Sequence, residues 1–364
     1  MVSGRSGSEP SSRRSWLVLA DGYLAERNAK TAHGVIRYSH DRIAAVLDRS
    51  NAGKTLADVA PILGGNAPIV ATVREGLELG ATSLLLGVAT PGGWMPAEWR
   101  DWLREAIEAG MEIANGLHSF LSDDPELVAL AGKHGAVLWD VRRPPEGIPL
   151  FTGRSLDVDA RTVLTVGTDC AVGKMTVSLE LAEAAHRAGV AAEFVATGQT
   201  GILIAGRGIA VDRVISDFVS GAAESLVVDA DPASEVLIVE GQGSLWHPAY
   251  AGVTLGLLHG SASEVLVLCH QAGRDAIEEP PYTNLPPLAE MVEVYERMAA
   301  TVRKAKVACV AVNTQGLADE QYRDQIAAVQ AETGLLAGDV LRGDADRLWD
   351  AVAAELKPSD SSRA

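Results

Sequence analysis

The sequence predicts an α/β fold in which two domains each contain a doubly wound parallel sheet. From Trp16 onward, short aliphatic runs alternate with segments of helical spacing. A stretch rich in proline and glycine interrupts this alternation at Arg142 to Asp159, and the alternation then resumes. Strands that alternate with helices form parallel sheets covered on both faces. A length of 364 residues is sufficient for two such domains.

The aliphatic runs are short enough to be strands. In the first half we predict strands at Trp16–Ala20, Ile43–Leu47, Ser83–Leu86, Glu112–Ala114 and Ala136–Trp139. In the second half we predict them at Thr162–Val166, Glu193–Ala196, Val236–Val239, Val265–Leu268 and Val307–Val312. The predicted helices are Ile69–Leu79, Ala97–Ala109, Asp124–Lys133, Lys174–Ala188, Val211–Ala223, Pro287–Val302, Glu320–Glu332 and Ala345–Leu356.

These patterns divide the chain into five parts. We predict a first domain at 15–141, a linker at 142–160 and a second domain at 161–357. The linker is predicted because Pro144, Pro145 and Pro149 occur there without periodic apolar spacing. Residues 1–14 and 358–364 are predicted to be disordered tails.

Composition limits the ligands and the compartment. The formal charge is −17, with 31 basic and 48 acidic residues, so the chain as a whole repels nucleic acid and anionic membranes. Cys170, Cys269 and Cys309 are far apart and form neither a disulfide framework nor a zinc motif. We therefore expect a cytoplasmic protein that acts on a small molecule and binds neither nucleic acid nor membrane. Because α/β enzymes of this kind often associate, we also expect a homo-oligomer.

A glycine-bounded loop follows the first strand of the second half. It reads Gly167, Thr168, Asp169, Cys170, Ala171, Val172, Gly173, Lys174, Met175 and Thr176, and a helix follows. A strand, a glycine-rich loop, a lysine and a helix are the context of a phosphate-binding P-loop. Backbone N–H groups, the helix N-terminus and Lys174 can hold phosphate oxygens there. The second domain is therefore predicted to resemble a P-loop NTPase, and all ten loop residues are candidate cofactor ligands.

The match to an NTPase loop has two departures. Five residues, rather than four, separate Gly167 from Gly173, and Met175 stands where a Ser or Thr normally binds Mg²⁺. Cys170 lies where positive potential favours the thiolate, so a nucleophilic role is a further alternative.

Polar residues follow the neighbouring strands and meet at the same sheet edge. Glu240 is a candidate base or metal ligand, and the alternative is a carboxylate that only caps a helix or turn. His247 is either catalytic or structural, and Arg274 pairs with either a substrate carboxylate or a surface acid. Asn313 and Thr314 are candidates for reading the edge of a base. The remaining residues predicted to line the crevice are Gln199, Thr200, Gln242 and Gly243.

Two resemblances follow from these motifs. The loop from Gly167 to Lys174 resembles the phosphate loop of dethiobiotin synthetase, including its five-residue gap. Over nearly the whole chain, the sequence is similar to the DgcN-like family. The segments that carry this second resemblance are Gly116–Pro125, Gly167–Thr176, Ser216–Gly221 and Glu240–Pro248.

The DgcN-like resemblance implies a Rossmann-like first domain, a P-loop-like second domain and D-glutamate N-acetyltransferase activity with acetyl-CoA as cosubstrate. An N–H nest with Lys174 can hold the phosphates of CoA without a metal, which fits the missing hydroxyl after the lysine. On this interpretation Glu240 is the base, with His247 or Asp169 as substitutes, and no metal is bound. The turn at Gln242 and Gly243 stabilises the oxyanion, and Arg274 binds a substrate carboxylate.

Two other functions remain open. The dethiobiotin synthetase resemblance implies a ligase or kinase that uses ATP and Mg²⁺, with the metal on Thr176 and Glu240. A non-catalytic sensor of nucleotide or CoA would use the loop only for binding.

Overall fold

The structure, a computed structural model, describes residues 14–88, 90, 95–280 and 282–356. The chain divides into two compact units between Arg143 and Pro144. Each unit contains a six-stranded sheet, and the strand pairs within both sheets are parallel. The predicted fold class, two parallel-sheet α/β domains, is confirmed.

The first unit has the strand order β3-β2-β1-β4-β5-β6. Its strands are β1 Ser15–Leu19, β2 Arg42–Leu47, β3 Ile69–Val70, β4 Ser83–Leu86, β5 Glu112–Asn115 and β6 Val137–Asp140. Its helices are α1 Lys30–Tyr38, α2 Leu56–Val59, α3 Val73–Glu78, α4 Trp99–Glu108 and α5 Pro125–His134. The order reverses at β1, as in a Rossmann fold.

The helix predicted at Ile69–Leu79 is wrong in its first part. Ile69–Val70 forms the edge strand β3, and the helix begins only at Val73. Thr72 sets this start, because its side chain accepts a hydrogen bond from the Glu75 N–H while Glu75 caps Thr72 in return. Such a capping box fixes a helix N-terminus more firmly than apolar spacing does.

An acidic residue follows β2 in the first unit, as in many dinucleotide-binding domains. The carboxylate of Asp48 accepts hydrogen bonds from the backbone N–H groups of Gly22 and Ser50 and from the Asn51 amide. These contacts connect the loop after β2 to the loop after β1. In this unit the carboxylate therefore has a structural role that holds the two loops together.

The second unit has the strand order β12-β11-β10-β7-β9-β8. Its strands are β7 Arg161–Gly167, β8 Ala192–Val195, β9 Val236–Val239, β10 Val265–Gln271, β11 Lys306–Asn313 and β12 Leu336–Gly338. Its helices are α6 Lys174–Arg187, α7 Gln199–Ala205, α8 Val219–Val228, α9 Ala251–Gly260, α10 Leu288–Ala299, α11 Asp319–Thr333 and α12 Ala345–Leu356.

Both faces of this second sheet are buried. On one face Val163 and Val267 pack in a cluster with residues of α6 and α12. On the other face Leu164 and Leu266 pack in a cluster that includes Tyr295 of α10. Continuous aliphatic runs are therefore expected in these strands, and they explain why the sequence predicts them well. None of the described helices is both long enough and apolar enough to span a membrane.

The segment predicted as a linker lies mainly in the second unit. The N–H and hydroxyl groups of Thr152 both donate to Glu224 on α8, at 2.9 and 2.8 Å. The backbone N–H of Ser155 donates to the same carboxylate. Residues 1–13 and 358–364 of the predicted tails lie outside the described residues.

Several helical regions differ from the sequence prediction, which contains none of α1, α2, α7 and α9. The helix predicted at Val211–Ala223 is wrong in its first part, because short 3-10 turns and an extended Val214 precede α8, which begins only at Val219. Helix α9 was not predicted, since Gly252, Gly256 and Gly260 reduce its helix propensity. A Cβ on Gly260 would lie 2.1 Å from the Ser220 carbonyl oxygen, so a glycine there allows α8 and α9 to pack closely.

The glycines of α9 provide a matched stability test. Gly260→Ala is expected to lower the free energy of unfolding by about 1–3 kcal/mol, because its Cβ collides with backbone. Gly252→Ala, in the same helix, meets no atom within 4 Å and should raise it by about 0.5–1 kcal/mol. Urea unfolding of both variants measures the difference, and equal changes of the same sign would contradict the packing.

Candidate active site

The candidate site lies at the carboxyl ends of neighbouring strands in the second unit. Strand β7 is paired with β10 on one side and with β9 on the other. The strands that follow β7 in the chain lie on both sides of it, so the strand order changes direction at β7. Open α/β sheets bind ligands at the carboxyl end of such a switch point. The loops that follow these three strands carry most of the predicted functional residues.

The loop after β7 has the backbone of an anion-binding nest. Ala171 has a φ of 54° and Gly173 a φ of 105°, and α6 begins at Lys174. The Nζ atom of Lys174 donates to the Asp169 carbonyl oxygen at 2.8 Å. A Cβ on Gly167 would lie 2.6 Å from that Nζ atom and 2.8 Å from the Asp169 carbonyl oxygen, and the clash with backbone favours glycine at this position. The lysine is therefore enclosed by its own loop, and burial lowers its pKa.

Asp169 holds the loop in place rather than facing solvent. One carboxylate oxygen accepts from the Cys170 N–H at 2.6 Å. The other accepts from Arg274 at 2.7 Å and from the Glu278 N–H at 2.9 Å. Asp169 is 1% exposed, so this ion pair is shielded from water.

Arg274 donates hydrogen bonds to several oxygen atoms of the chain. Besides Asp169, its guanidinium donates to the Cys170 carbonyl oxygen at 3.0 Å and to Glu278 at 3.1 Å. It also donates to the Gln271 side chain. Of the two roles left open by the sequence, the structure shows the pairing with acids of the chain, but Asp169 is buried and is not the surface acid that was expected.

Glu240 follows β9 and is buried. Its Oε2 accepts from the N–H groups of Thr197 and Gly198 at 3.0 and 3.1 Å, just before α7. It therefore does cap a helix start, one of the two roles predicted for it. Burial raises its pKa to about 7, although the two N–H groups and the charge of Lys174 act in the opposite direction. A carboxyl that titrates near neutrality can also exchange protons with a substrate.

The turn after Glu240 is hydrogen-bonded to β7 and to the phosphate loop. The N–H of Gly241 donates to the Thr165 hydroxyl at 2.9 Å, and Ser244 donates to the Thr168 carbonyl oxygen at 2.9 Å. A Cβ on Gly241 would lie 1.7 Å from the Thr165 carbonyl oxygen. Only glycine therefore permits the β9 turn to approach β7 this closely.

The predicted crevice residues lie beside Glu240. Gln199 and Thr200 are the first residues of α7, and the Gln242 amide donates to the Thr197 hydroxyl at 3.3 Å. Gly243 has a φ of 66°, and a Cβ there would lie 2.6 Å from the Tyr250 carbonyl oxygen. The loops after β8 and β9 therefore form one continuous wall of the site.

His247 lies at the loop on the side of Asp169 and Cys170. Its side chain is 2% exposed, and its Nδ1 accepts from the Ala249 N–H at 3.3 Å. Its Nε2 has no hydrogen-bond partner among the described residues. One ring nitrogen, the Cys170 sulfur and an Asp169 oxygen all lie within 4.8 Å of one another.

Sequence reasoning missed one residue that supports the loop. The Tyr295 hydroxyl on α10 donates to the Gly167 carbonyl oxygen at 2.7 Å. Burial raises the pKa of Tyr295 above its usual range, so it remains a donor. Its position on an amphipathic helix indicates only a core residue, and no sequence signal separates it from the others.

A small cavity adjoins the loop on its other side. Its volume is about 110 Å³, and Gly173, Thr176, Asn313 and Asp339 are among the residues that line it. Asp339 accepts from both the N–H and the hydroxyl of Thr314. The strand end that carries Asn313, predicted to read a base edge, thus lies next to the phosphate loop.

Comparison with known proteins agrees with this architecture. Residues 149–349 match the family model described as "Domain of unknown function (DUF1611_C) P-loop domain". Residues 49–144 match "Domain of unknown function (DUF1611_N) Rossmann-like domain". The chain belongs to the DUF1611 family. The predicted family placement, with its Rossmann-like and P-loop domains, is confirmed.

Two relatives of this chain carry a functional name. A protein of Tritonibacter scottomollicae named D-glutamate N-acetyltransferase is 41% identical, over 78% of this chain and 84% of its own length. A Pseudoalteromonas protein of the same name is 41% identical, over 76% and 83%. The crystal structure of a DUF1611 family protein from Anabaena variabilis ATCC 29413 is 38% identical, with a TM-score of 0.89 over 94% of this chain and 100% of that one.

The raised pKa of Glu240 predicts a pH-dependent stability in this DUF1611 protein. A carboxyl that is harder to ionise when folded stabilises the protein least above its folded pKa, so stability falls between pH 4.5 and about 7. Because glutamine does not titrate, the Glu240→Gln variant does not lose stability in this pH range. Its free energy of unfolding relative to wild type should therefore rise between pH 5 and pH 8, by on the order of 3 kcal/mol.

Glu224→Gln is the control, because folding shifts the pKa of Glu224 in the opposite direction to that of Glu240. Burial raises the pKa of Glu224, but the hydrogen bonds from Thr152, Ser155 and Gly153 outweigh burial and lower it overall. The stabilisation from its carboxylate is therefore already complete above pH 4.5, so the stability difference between wild type and Glu224→Gln should stay nearly constant from pH 5 to pH 8. Urea unfolding at both pH values measures each difference. Parallel curves for wild type and Glu240→Gln would contradict the buried, neutral-pH carboxyl.

Proposed function

We propose that this protein transfers the acetyl group of acetyl-CoA to the amino group of D-glutamate. The observation that carries the proposal is Glu240, a buried carboxyl with a pKa of about 7 beside an anion-binding loop. The names of relatives at 41% identity support the same substrate. D-Glutamate and CoA are small anionic molecules, so a chain of charge −17 must bind them by local donors.

The loop and the adjoining cavity suit the nucleotide end of CoA. The N–H groups from Ala171 to Thr176 and the N-terminus of α6 would hold the phosphates, with Lys174 as the charged donor. The cavity at Asn313 would take the adenine ring. This arrangement does not use a metal ion, which accounts for Met175 at the position where NTPases carry a hydroxyl.

Glu240 has the chemistry required of the base. The amine of D-glutamate must give up a proton as it attacks the thioester carbonyl. A carboxylate with a pKa of about 7 is largely ionised at pH 8, yet it binds a proton more readily than an exposed Glu does. Its partners Thr197 and Gly198 fix the carboxylate orientation.

The acceptor would lie against the wall formed by the loops after β8 and β9. Gln199, Thr200 and Gln242 supply polar side chains there, and the turn at Gly243 supplies backbone N–H groups for an oxyanion. Arg274 is assigned a different role from the one first expected. Because it is bound to Asp169, it positions the phosphate loop and does not receive the substrate carboxylate.

Product analysis tests the proposed reaction. The purified protein with acetyl-CoA and D-glutamate should give N-acetyl-D-glutamate without ATP. Chromatography on a chiral column followed by mass spectrometry measures the product. Parallel reactions contain L-glutamate, or MgATP in place of acetyl-CoA. ADP formation with no acetylated product would place the protein among ATP-dependent ligases or kinases. Binding of CoA with neither product would identify a sensor.

The base is tested on a matched pair of carboxylates. Glu240→Gln is expected to lower kcat by about 10²–10⁴-fold and to remove the rise of kcat with pH near 7. Glu235→Gln changes the exposed carboxylate at the opposite end of β9 and should leave both unchanged. A wild-type pH–rate profile retained by Glu240→Gln would assign the proton transfer to another group.

The phosphate-binding role of the loop is tested by affinity. Lys174→Ala removes a buried charged donor and should raise the Kd for CoA by about 10- to 100-fold. Lys306→Ala, which removes an exposed lysine paired with Glu296, should bind CoA as wild type does. Calorimetric titration measures both. An unchanged Kd for a folded Lys174→Ala protein would place the CoA phosphates elsewhere.

A further inference from the structure

Cys170 and His247 form a cluster that the steps above leave unused. Cys170 is a half-buried thiol within the phosphate loop. Its sulfur lies within 4.8 Å of a ring nitrogen of His247 and of a carboxylate oxygen of Asp169. A sulfur, a nitrogen and an oxygen at this spacing fit either a metal ion or a nucleophile with its supporting groups.

The surrounding charges argue against a cation in this cluster. The guanidinium of Arg274 lies 2.7 Å from the Asp169 oxygen and 3.0 Å from the Cys170 carbonyl oxygen. Lys174 begins the helix that follows, and its Nζ donates to the Asp169 carbonyl oxygen. A second cation would meet this positive potential, whereas a thiolate is stabilised by it and by the helix N-terminus.

The protonation of His247 argues in the same direction. Because Nδ1 accepts from the Ala249 N–H, the neutral ring carries its hydrogen on Nε2. Metal coordination through Nε2 would require that hydrogen to move to Nδ1, against the Ala249 donor. Nε2 is instead a buried donor that makes no hydrogen bond among the described residues, because the Glu279 carboxylate oxygen lies 4.0 Å away, beyond hydrogen-bond distance. A buried donor of this kind is costly unless a ligand supplies the acceptor.

We propose that Cys170 accepts the acetyl group before the amine does, and that His247 donates a hydrogen bond to the acetyl carbonyl oxygen. This inference rests on the proposed acetyl transfer. In the first step the Cys170 thiolate attacks the carbonyl carbon of acetyl-CoA. The new C–S bond forms as the C–S bond to CoA breaks, and CoA leaves as a thiolate. One thioester replaces another, so no oxidant, reductant or net proton transfer is needed.

In the second step the neutral amine of D-glutamate attacks the acetyl-Cys170 carbonyl. The C–N bond forms, the bond to the Cys170 sulfur breaks, and the thiolate is restored. Glu240 accepts the proton that the amine loses and later releases it to solvent. The Nε2–H of His247 meets the oxyanion in both steps, which supplies the acceptor that this buried group lacks.

The experiment uses the full chain with acetyl-CoA and no D-glutamate. Acid-quenched intact-mass spectrometry should show one acetyl group per chain, sensitive to hydroxylamine and mapped to Cys170 by peptide analysis. Labelled CoA should exchange into acetyl-CoA under the same conditions. Cys170→Ala is expected to lose the adduct and to lower both exchange and D-glutamate acetylation by about 10³-fold.

Two variants separate chemistry from folding. Cys170→Ser retains the size of the side chain, and it should bind CoA but exchange it far more slowly. Cys309→Ala alters a buried cysteine on β11, whose sulfur contacts Leu348, and should form the adduct as wild type does. Thermal unfolding of each variant confirms that it is folded.

The outcomes distinguish this proposal from the function on which it rests. Wild type that makes N-acetyl-D-glutamate with neither adduct nor exchange, or Cys170→Ala at the wild-type rate, would overturn the thiol step and leave the function intact. Adduct and exchange with no acetylation of D-glutamate would support the thiol step and reject D-glutamate as the acceptor. Absence of all three activities would reject both proposals.

Discussion

The buried ammonium group of Lys174 is the constraint on which the rest of the site depends. Its Nζ lies inside the loop, donates to the Asp169 carbonyl oxygen and occupies the space that a side chain at Gly167 would need. Burial lowers the pKa of Lys174 and raises that of Glu240, while each charge partly restores the other. Both groups are poorly solvated, so the CoA phosphates that we propose to bind here would gain a partner that water does not already satisfy.

The surrounding contacts keep this arrangement in one conformation. Asp169 joins the loop to Arg274 after β10, and Gly241 joins the turn after β9 to Thr165 on β7. Tyr295 supports the loop from α10. Three loops and a helix from separate parts of the chain are thus fixed to one another. Such support is what gives a catalytic group a defined geometry before the substrate arrives.

The elements predicted best are those whose sequence pattern reflects burial on both faces. The central strands β7, β9 and β10 are rich in buried Val, Leu and Ile, and they lie where expected. The edge strand β3 has two residues and α9 contains glycines, so neither has a pattern that distinguishes it. In both cases tertiary contacts override local propensity.

The same division holds for the site. The loop from Gly167 to Thr176 is visible in the sequence because its glycines and lysine have a fixed spacing. The ion pair between Asp169 and Arg274 joins residues that are 105 positions apart, and no local sequence pattern predicts it. The prediction that Arg274 binds a substrate carboxylate therefore rested on its side-chain chemistry alone, whereas in the structure it pairs with Asp169 of the phosphate loop.

The position of the ionisable groups limits how acetyl-CoA can bind. Glu240, Cys170 and His247 all adjoin the loop proposed to hold the CoA phosphates. In CoA, the whole pantetheine arm separates the phosphates from the thioester. For the phosphates and the acetyl group to reach the same loop, the arm must therefore fold back on itself. Glu240 is already buried by the chain itself, whereas a folded arm would cover Cys170 and exclude water from it, and a thioester intermediate requires that exclusion. The compactness of the site and the chemistry proposed for it thus require the same bound conformation of the donor.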